Sequence, residues 1–416
     1  MPHAPCPIPF FTKEAKNLKT IALFDYLSNG HHLAYIRLFS KTFLEMGYQV
    51  IAFFPEPDEI SKWVALHSSE HIQNFRAFKV QEPNRPVLPI IGQLPQPVFT
   101  FFRWIDTAAA IRKASSKIGY TPDLVFLCWL DSYLSNYLNH HIIEKIFPYA
   151  WSGLYFHPNN LQFKQHVLPI LKTPLTHYAV AQSSRCSGIA LLNEIEARKL
   201  QNKVNNPVFI FPDIADESSP DPDYVVAQKI RSQAGTRKIV GLFGLLSKRK
   251  GLLTLLEVAE KSVNENWFFV FAGPLNEVDL SPEDFAKIKN IVESKPSNCF
   301  FHFESIPEGA KFNALINVCD VLFAAYENFN SSSNILTKAA IFEKLVIVSE
   351  GFCIGERVKN FQLGLTIPQG NVRKCIEALN NLFNLTQIKP DFEGYRRFHS
   401  VEQLRKEFNA ICHKIG

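Results

Sequence analysis

Two short stretches hold the residue types that grip phosphate. Residues 326–340, YENFNSSSNILTKAA, put Ser331, Ser332, Ser333 and Asn334 directly ahead of a helical run. Residues 241–261, GLFGLLSKRKGLLTLLEVAEK, put Lys248, Arg249 and Lys250 in the turn between a strand and a helix, with Gly251 next. A helix start presents unpaired N–H groups and a partial positive charge. Hydroxyls and cations added there make a seat for a phosphate or diphosphate. Each stretch also has a plainer reading. Ser332 or Ser333 can cap the helix by accepting from an N–H two or three residues on, and a basic turn can be merely solvated. Three serines near a second, cationic turn on the same sheet edge favour the anion seat. Lys338 lies four residues after Asn334, on the same helix face, and adds a charge.

These loops need strands and helices to hold them. TIALFDY, LAYIRLFSKTFLEMG and YQVIAFF read as strand, amphipathic helix, strand, with Leu33, Ile36, Leu38, Phe39, Phe43 and Leu44 on one apolar face and Gly47 ending the helix. That is a β-α-β opening with parallel pairing. DLVFLCW, SGLYFH, THYAVA, GIALL and PVFIFP are further strand candidates. Residues 214–223, IADESSPDPD, form a polar, proline-punctuated hinge. A second series follows: KIVGLFGLL, WFFVFAG, CFFHFES, DVLFAAY, KLVIVSE and GLTIP, separated by helical stretches such as LLTLLEVAEKSV and KFNALINVC. The expected fold class is α/β, with two doubly wound Rossmann-like domains facing a cleft. The expected domains are residues 1–215, residues 216–395, and a closing helix over 396–416 that packs back across the hinge. In open parallel sheets, ligands sit beyond the carboxyl ends of the strands, which is where both phosphate-type loops fall.

The totals agree. The chain has 416 residues, 46% of them hydrophobic, more than one typical core needs. A net charge of +5 suits anionic small substrates and is too diffuse for nucleic acid. Cys6, Cys128, Cys186, Cys299, Cys319, Cys353, Cys375 and Cys412 form no CxxC pair, so neither a zinc ribbon nor a redox motif is expected, and a reducing, cytoplasmic compartment is. The N-terminal MPHAPCPIPFFTKEAK has proline where a signal peptide needs an apolar stretch, and no apolar run is long enough to span a bilayer. Residues 95–117, PQPVFTFFRWIDTAAAIRKASSK, place aromatics beside basic residues. This fits a core helix with a basic outer face, the preferred reading, or a peripheral membrane contact.

Taken in order, these motifs resemble the nucleotide-sugar-binding half of GT-B glycosyltransferases of group 1 (family 4-like). GLLSKRKG is similar to that family's strand-turn with its phosphate-binding lysine, here Lys250. FVFAGP, HFESIPEGAKFNALINVCDVLFAAY and GFCIGERVKNFQLGLTIPQGN follow in family order, with Glu356 at the position of a family glutamate. The likeness covers about Lys238 to Phe383. More weakly, SNGHHLAYIRLFSKTFLEMGYQV resembles the family's glycine-rich first loop and helix. There Gly30 allows close backbone approach, and His31 and His32 start the helix. His157 sits where members carry a cleft histidine, and Asp131 follows a neighbouring strand. Any of these histidines also fits an ordinary structural or surface role.

The resemblance implies transfer of a sugar from a nucleoside diphosphate donor to an acceptor, with retention of configuration and without a metal or other cofactor. It implies Lys250, Asn330 and His157 as catalytic residues. Lys250, Arg249, Ser331, Ser332, Ser333 and Asn334 would hold the diphosphate, and Asn330, Lys338 and Glu327 the sugar or ribose. Gly30, His31, His32 and Asp131 would face the acceptor. The chain also departs from the family. Leu245 stands where an arginine is usual, and Arg249 is its candidate replacement. Asn330 and Lys338 stand where members carry paired glutamates, and lysine has no acceptor for ribose hydroxyls. Glu327 and Glu304 are alternative carboxylates. These departures keep two other readings open: a lapsed scaffold that binds nucleotide sugars without turnover, and a sugar-nucleotide epimerase of the same fold.

Overall fold

The computed structural model describes residues 18–28, 30–82, 87–88, 92–93, 96–158, 176–384 and 388–415. The N-terminal MPHAPCPIPFFTKEAK, with Cys6, lies outside the described residues. The chain forms two compact units. One comprises Met1–Leu191, Glu196–Ile210 and Arg405–Gly416, the other Leu192–Ile195 and Phe211–Leu404.

The N-terminal unit is built on a seven-stranded sheet. Its strands are β1 (Thr20–Phe24), β2 (Gln49–Phe54), β3 (Phe75–Lys79), then, after a short antiparallel pair β4 (Val87–Leu88) and β5 (Gly92–Gln93), β6 (Leu124–Leu127), β7 (Trp151–Tyr155), β8 (Cys186–Leu191) and β9 (Val208–Ile210). The order is β3-β2-β1-β6-β7-β8-β9 and every pairing within this sheet is parallel. Such strands are buried on both faces, which is why TIALF and LVFL read as unbroken apolar runs rather than alternating ones. The helix His32–Glu45 buries Ile36, Phe39, Phe43 and Leu44 against one face. Phe408, from the last helix, Val401–Cys412, packs its ring 4.0 Å from that of Phe43 and 5.4 Å from that of Phe126. The other face carries the helix Gln96–Ile118, with Trp104, Ala108, Ile111 and Ala114 in the core. The aromatic-and-basic stretch is therefore a core helix, with Arg112, Lys113 and Lys117 on its exposed side.

One strand reading fails. THYAVA forms no strand: Ala179–Gln182 is a single 3-10 turn. Its Thr and Tyr favour extended backbone, but Val180 and Ala181 are fully buried as a plug against the unit's core, and packing overrides propensity. β3 has no counterpart among the sequence candidates, because FRAFK mixes a basic residue into an edge strand only half buried.

The C-terminal unit has a six-stranded parallel sheet: β10 (Lys238–Phe243), β11 (Trp267–Ala272), β12 (Cys299–His302), β13 (Val321–Ala324), β14 (Leu345–Ser349) and β15 (Gly364–Ile367), in the order β12-β11-β10-β13-β14-β15. Two apolar layers cover its faces, one around Leu315, Leu336 and Val358, the other around Leu255, Phe269 and Leu379.

Each sheet reverses its winding once, between β1 and β6 in the first unit and between β10 and β13 in the second. The chain leaves these paired strands in opposite directions, which opens a crevice at their carboxyl ends.

Candidate functional site

In the C-terminal unit, both phosphate-type loops sit at that reversal. The basic turn follows β10 and the serine loop follows β13, and the two strands are paired at Val240–Val321 and Gly241–Leu322. Ser247 Oγ accepts from Lys250 N at 3.3 Å and closes a 3-10 turn over Lys248–Lys250. Gly251 then adopts φ +75°, and the helix Leu252–Lys261 begins. A Cβ on Gly251 would lie 2.7 Å from Ala325 O, so glycine is needed for both its backbone angle and its closeness to β13. Glu327 N donates to Arg249 O at 2.7 Å, which ties the two loops together.

The three cations go to different places. Lys248 Nζ bonds half-buried Asp284 at 2.8 Å. The Arg249 guanidinium lies over the Phe329 ring, 4.8 Å from its centroid. Lys250 turns inward: Nζ donates to Phe243 O at 3.0 Å and stands 5.9 Å from the centre of the Tyr326 ring. Burial, with a smaller push from Arg249, lowers the Lys250 amine to about 8. A cation whose charge is poorly solvated gains most from an arriving anion.

The serine loop differs from the expectation. The helix spans Ile335–Ile341, and Asn334 at its N-cap makes no side-chain capping bond. Neither Ser332 nor Ser333 caps it. Ser332 Oγ instead donates to Asp213 Oδ2 at 2.5 Å and accepts from Arg357 Nη1 at 2.5 Å. Charge-assisted bonds to buried groups outcompete a neutral bond to a backbone N–H. Ser333 Oγ lies 3.4 Å from Tyr326 OH, so Tyr326 touches both Lys250 and the serine loop. Ser331 is buried, and the Asn330 backbone carbonyl accepts from the Asn193 side chain.

Lys338 is a second correction. It is 2% exposed, with Nζ on Asn313 Oδ1 at 2.7 Å, and burial depresses its amine. Its charge lies inside the fold near Glu308 and Asp216 rather than on the helix surface. Glu356 lies on the surface, 3.7 Å from Lys359, and Glu304 is also exposed. Glu327 is half-buried beside Arg249.

Sequence reading missed the residue next to Glu356. Arg357 is buried and joined to Glu194 (2.9 Å), Asp213 (3.9 Å), Ser332 and the Leu192 carbonyl. The carboxylates around it hold the guanidinium charged against the cost of burial. Cys353, one turn earlier, meets the same Glu194 through Sγ at 3.2 Å. A polar residue at i+4 from a buried cysteine on an amphipathic helix was the available signal.

In the N-terminal unit, the reversal gathers the other sequence candidates. Gly30 (φ +58°) has open space where a side chain would be. His32 is buried, its Nδ1 2.8 Å from Asp25 Oδ2. The His32 ring lies 4.1 Å from that of Trp129, which stacks on Phe156 at 4.3 Å and 20°. His31 is exposed, its ring 6.2 Å from Phe156. Asp131 accepts from the backbone N–H groups of Phe156 (2.8 Å) and His157 (2.7 Å), and its carboxylate is 3.6 Å from His157 Nδ1. Gly30, His31, His32, Asp131 and His157 thus share one neighbourhood, joined by Asp25, Trp129 and Phe156, which the sequence did not single out. Among the described residues, no three His, Cys, Asp or Glu side chains converge as metal ligands, and no helix is long and apolar enough to cross a membrane.

Residues 227–397 match the family described as glycosyl transferases group 1. No curated protein matches the chain in sequence. Solved structures of the same fold include a glycosyltransferase from Rickettsia africae ESF-5 (14% identity, 96% of this chain and 99% of that one, TM-score 0.65). Anabaena HepE in complex with UDP and glucose is similar over 95% of this chain and 100% of its own, at 12% identity and TM-score 0.63. Sucrose-phosphate synthase from Thermosynechococcus elongatus is similar over 96% and 97%, at 15% identity and TM-score 0.62. Residues 227–397, within the C-terminal unit, are therefore similar to the glycosyl transferases group 1 family, and the chain has the GT-B fold of these solved glycosyltransferases, with two parallel-sheet Rossmann-like units.

Proposed function

We propose that the protein moves a sugar from a nucleoside diphosphate to an acceptor, with the donor in the C-terminal unit and the acceptor in the N-terminal unit. One observation carries this reading: the loops chosen for their chemistry are those at the winding reversal of each sheet. The diphosphate lies between Lys250 and the loop Ser331–Asn334, with Arg249 beside it. Asn330 and Glu327 are nearest the sugar and ribose. The complexes of Anabaena HepE with UDP, glucose and UDP-glucose support a uridine diphosphate donor.

As the bond from the anomeric carbon to the diphosphate oxygen breaks, the electron pair and its charge stay on the diphosphate. Lys250 becomes fully charged against that build-up, and fixed N–H dipoles add to it without reorganising. The acceptor hydroxyl forms the new bond to the anomeric carbon, and its proton passes to the departing diphosphate oxygen. Gly30 lets it come close to the backbone, and His31, His157 and Asp131 bond it. Retention of configuration and independence from metal belong to this reading through the family.

A second reading is a scaffold that binds nucleotide sugars without turnover. Lys338, buried where the family resemblance implies a glutamate, favours it. Calorimetry with UDP and UDP-sugars, run beside an assay of UDP release with mixed saccharide acceptors, separates the two. Acceptor-dependent UDP release is expected. Binding without release supports the scaffold, and absence of both removes the donor assignment.

A further inference from the structure

The N-terminal unit holds a cavity of about 460 Å3 that the proposed chemistry does not use. It opens between the ends of β1 to β3 and the helix Gln96–Ile118. That volume lies within the range of small-molecule sites. Its floor is aromatic: partly exposed Phe78 stacks at 5.7 Å and 24° on Phe53, which is buried, as is Tyr26 beside it. Its rim is cationic. Lys79 comes from β3, and Lys113 and Lys117 stand one helical turn apart. All three are exposed, and none has an ion-pair partner among the described residues. The nearby Arg103 is already neutralised by Glu82.

Among the described residues a single carboxylate, Asp106, lines the cavity, and burial holds it above its usual range. The Tyr26 hydroxyl is fixed 3.2 Å from Thr107 Oγ1. Three unpaired cations on one rim repel each other and favour an anion. Aromatic faces favour a partner with apolar C–H surface. A lone carboxylate accepts hydroxyl hydrogen bonds. A molecule with negative charge, ring C–H faces and hydroxyls meets all three demands.

We propose that this cavity binds an anionic saccharide, a sugar bearing a phosphate or a carboxylate, and that it anchors the acid end of the acceptor. The second half rests on the transferase reading above; the first does not. Tyr26 lies two residues past the end of β1 and precedes the Gly30–His32 loop, so the cavity and the acceptor-side histidines share one strand exit.

The test is calorimetry of the full chain with glucose 6-phosphate, glucuronate, glucose and inorganic phosphate, beside co-sedimentation with phosphatidylglycerol vesicles. The two acidic sugars are expected to bind, with glucose and inorganic phosphate at least tenfold weaker. The double variant K113E/K117E should lose tenfold or more for the acidic sugars and keep the wild-type response to UDP. Equal binding by the variant overturns the proposal. So does phosphate that binds as tightly as the sugar phosphate, or binding to vesicles with none to soluble sugars, which would mark a membrane contact. Acidic-sugar binding without any UDP response leaves the site standing and removes the donor assignment.

Discussion

Arg357 reaches Ser332 with Nη1 at 2.5 Å, so a charge buried in the C-terminal core fixes a hydroxyl of the serine loop. The same guanidinium carries Glu194 at 2.9 Å. Removing one partner of a buried pair leaves the other charge uncompensated, at a cost of about 3 kcal/mol or more. Arg357→Met should therefore lower unfolding free energy by about 3 kcal/mol in urea titration. Arg357→Lys should recover only part, because an ammonium lacks the planar fork. A loss under about 1 kcal/mol in the methionine variant would show that the network contributes little.

Lys250 sets a pH dependence. Its amine titrates near 8, and a bound diphosphate favours the charged form. UDP affinity should fall roughly tenfold from pH 7 to 9.5. In Lys250→Met it should be weak and flat over that range. Without ligand the sign reverses. The folded state resists charging this lysine, so wild-type stability relative to the methionine variant should rise between pH 8 and the unfolded value near 10.5. Thermal shift with and without UDP reads both trends, and parallel curves for the two proteins would count against the placement.

Gly251→Ala brings a Cβ to 2.7 Å from Ala325 O at φ +75°. The strain and the clash should cost about 2 kcal/mol. They should also push the basic turn away from β13 and reduce the UDP thermal shift. An alanine variant with unchanged melting and UDP response would mean that the turn does not depend on this approach.

Asp25 holds His32 through Nδ1. An asparagine at 25 that keeps its oxygen on Leu27 N turns its NH2 towards His32. The proton then moves to the other ring nitrogen. Asp25→Asn should reverse the His32 tautomer in 15N NMR spectra of the imidazole. An unchanged spectrum would mean that the carboxylate does not set the tautomer.

Trp129 stacks on Phe156 between the two histidines. If this surface receives the acceptor, Trp129→Ala should raise the acceptor KM on the order of tenfold with kcat little changed, as for loss of uniform binding. The UDP thermal shift should stay at the wild-type value. A kcat effect alone would place Trp129 elsewhere in the reaction.

Much of this was legible from sequence because the signals are local. Runs such as WFFVFA and LVIVS are buried on both faces of a parallel sheet, and such strands announce themselves by unbroken apolar character. Turn chemistry around Lys250 and Gly251 was equally readable, since a 3-10 turn capped by Ser247 needs only neighbours in the chain. THYAVA misled because its extended-backbone preference was overruled by the core it plugs.

The sequence by itself determined two strand-helix series and the loops that carry hydroxyls, cations and histidines. Only the tertiary structure decided what those side chains touch. Ser332 gave up capping for Asp213 and Arg357, and Lys338 left its helix face for Asn313. Arg357 meets Glu194 across 163 residues of chain. Helical and strand periods fix which way a residue faces within its own element. The partner that waits there depends on which strands pair and where each sheet reverses, and that is settled by burial summed over the whole unit.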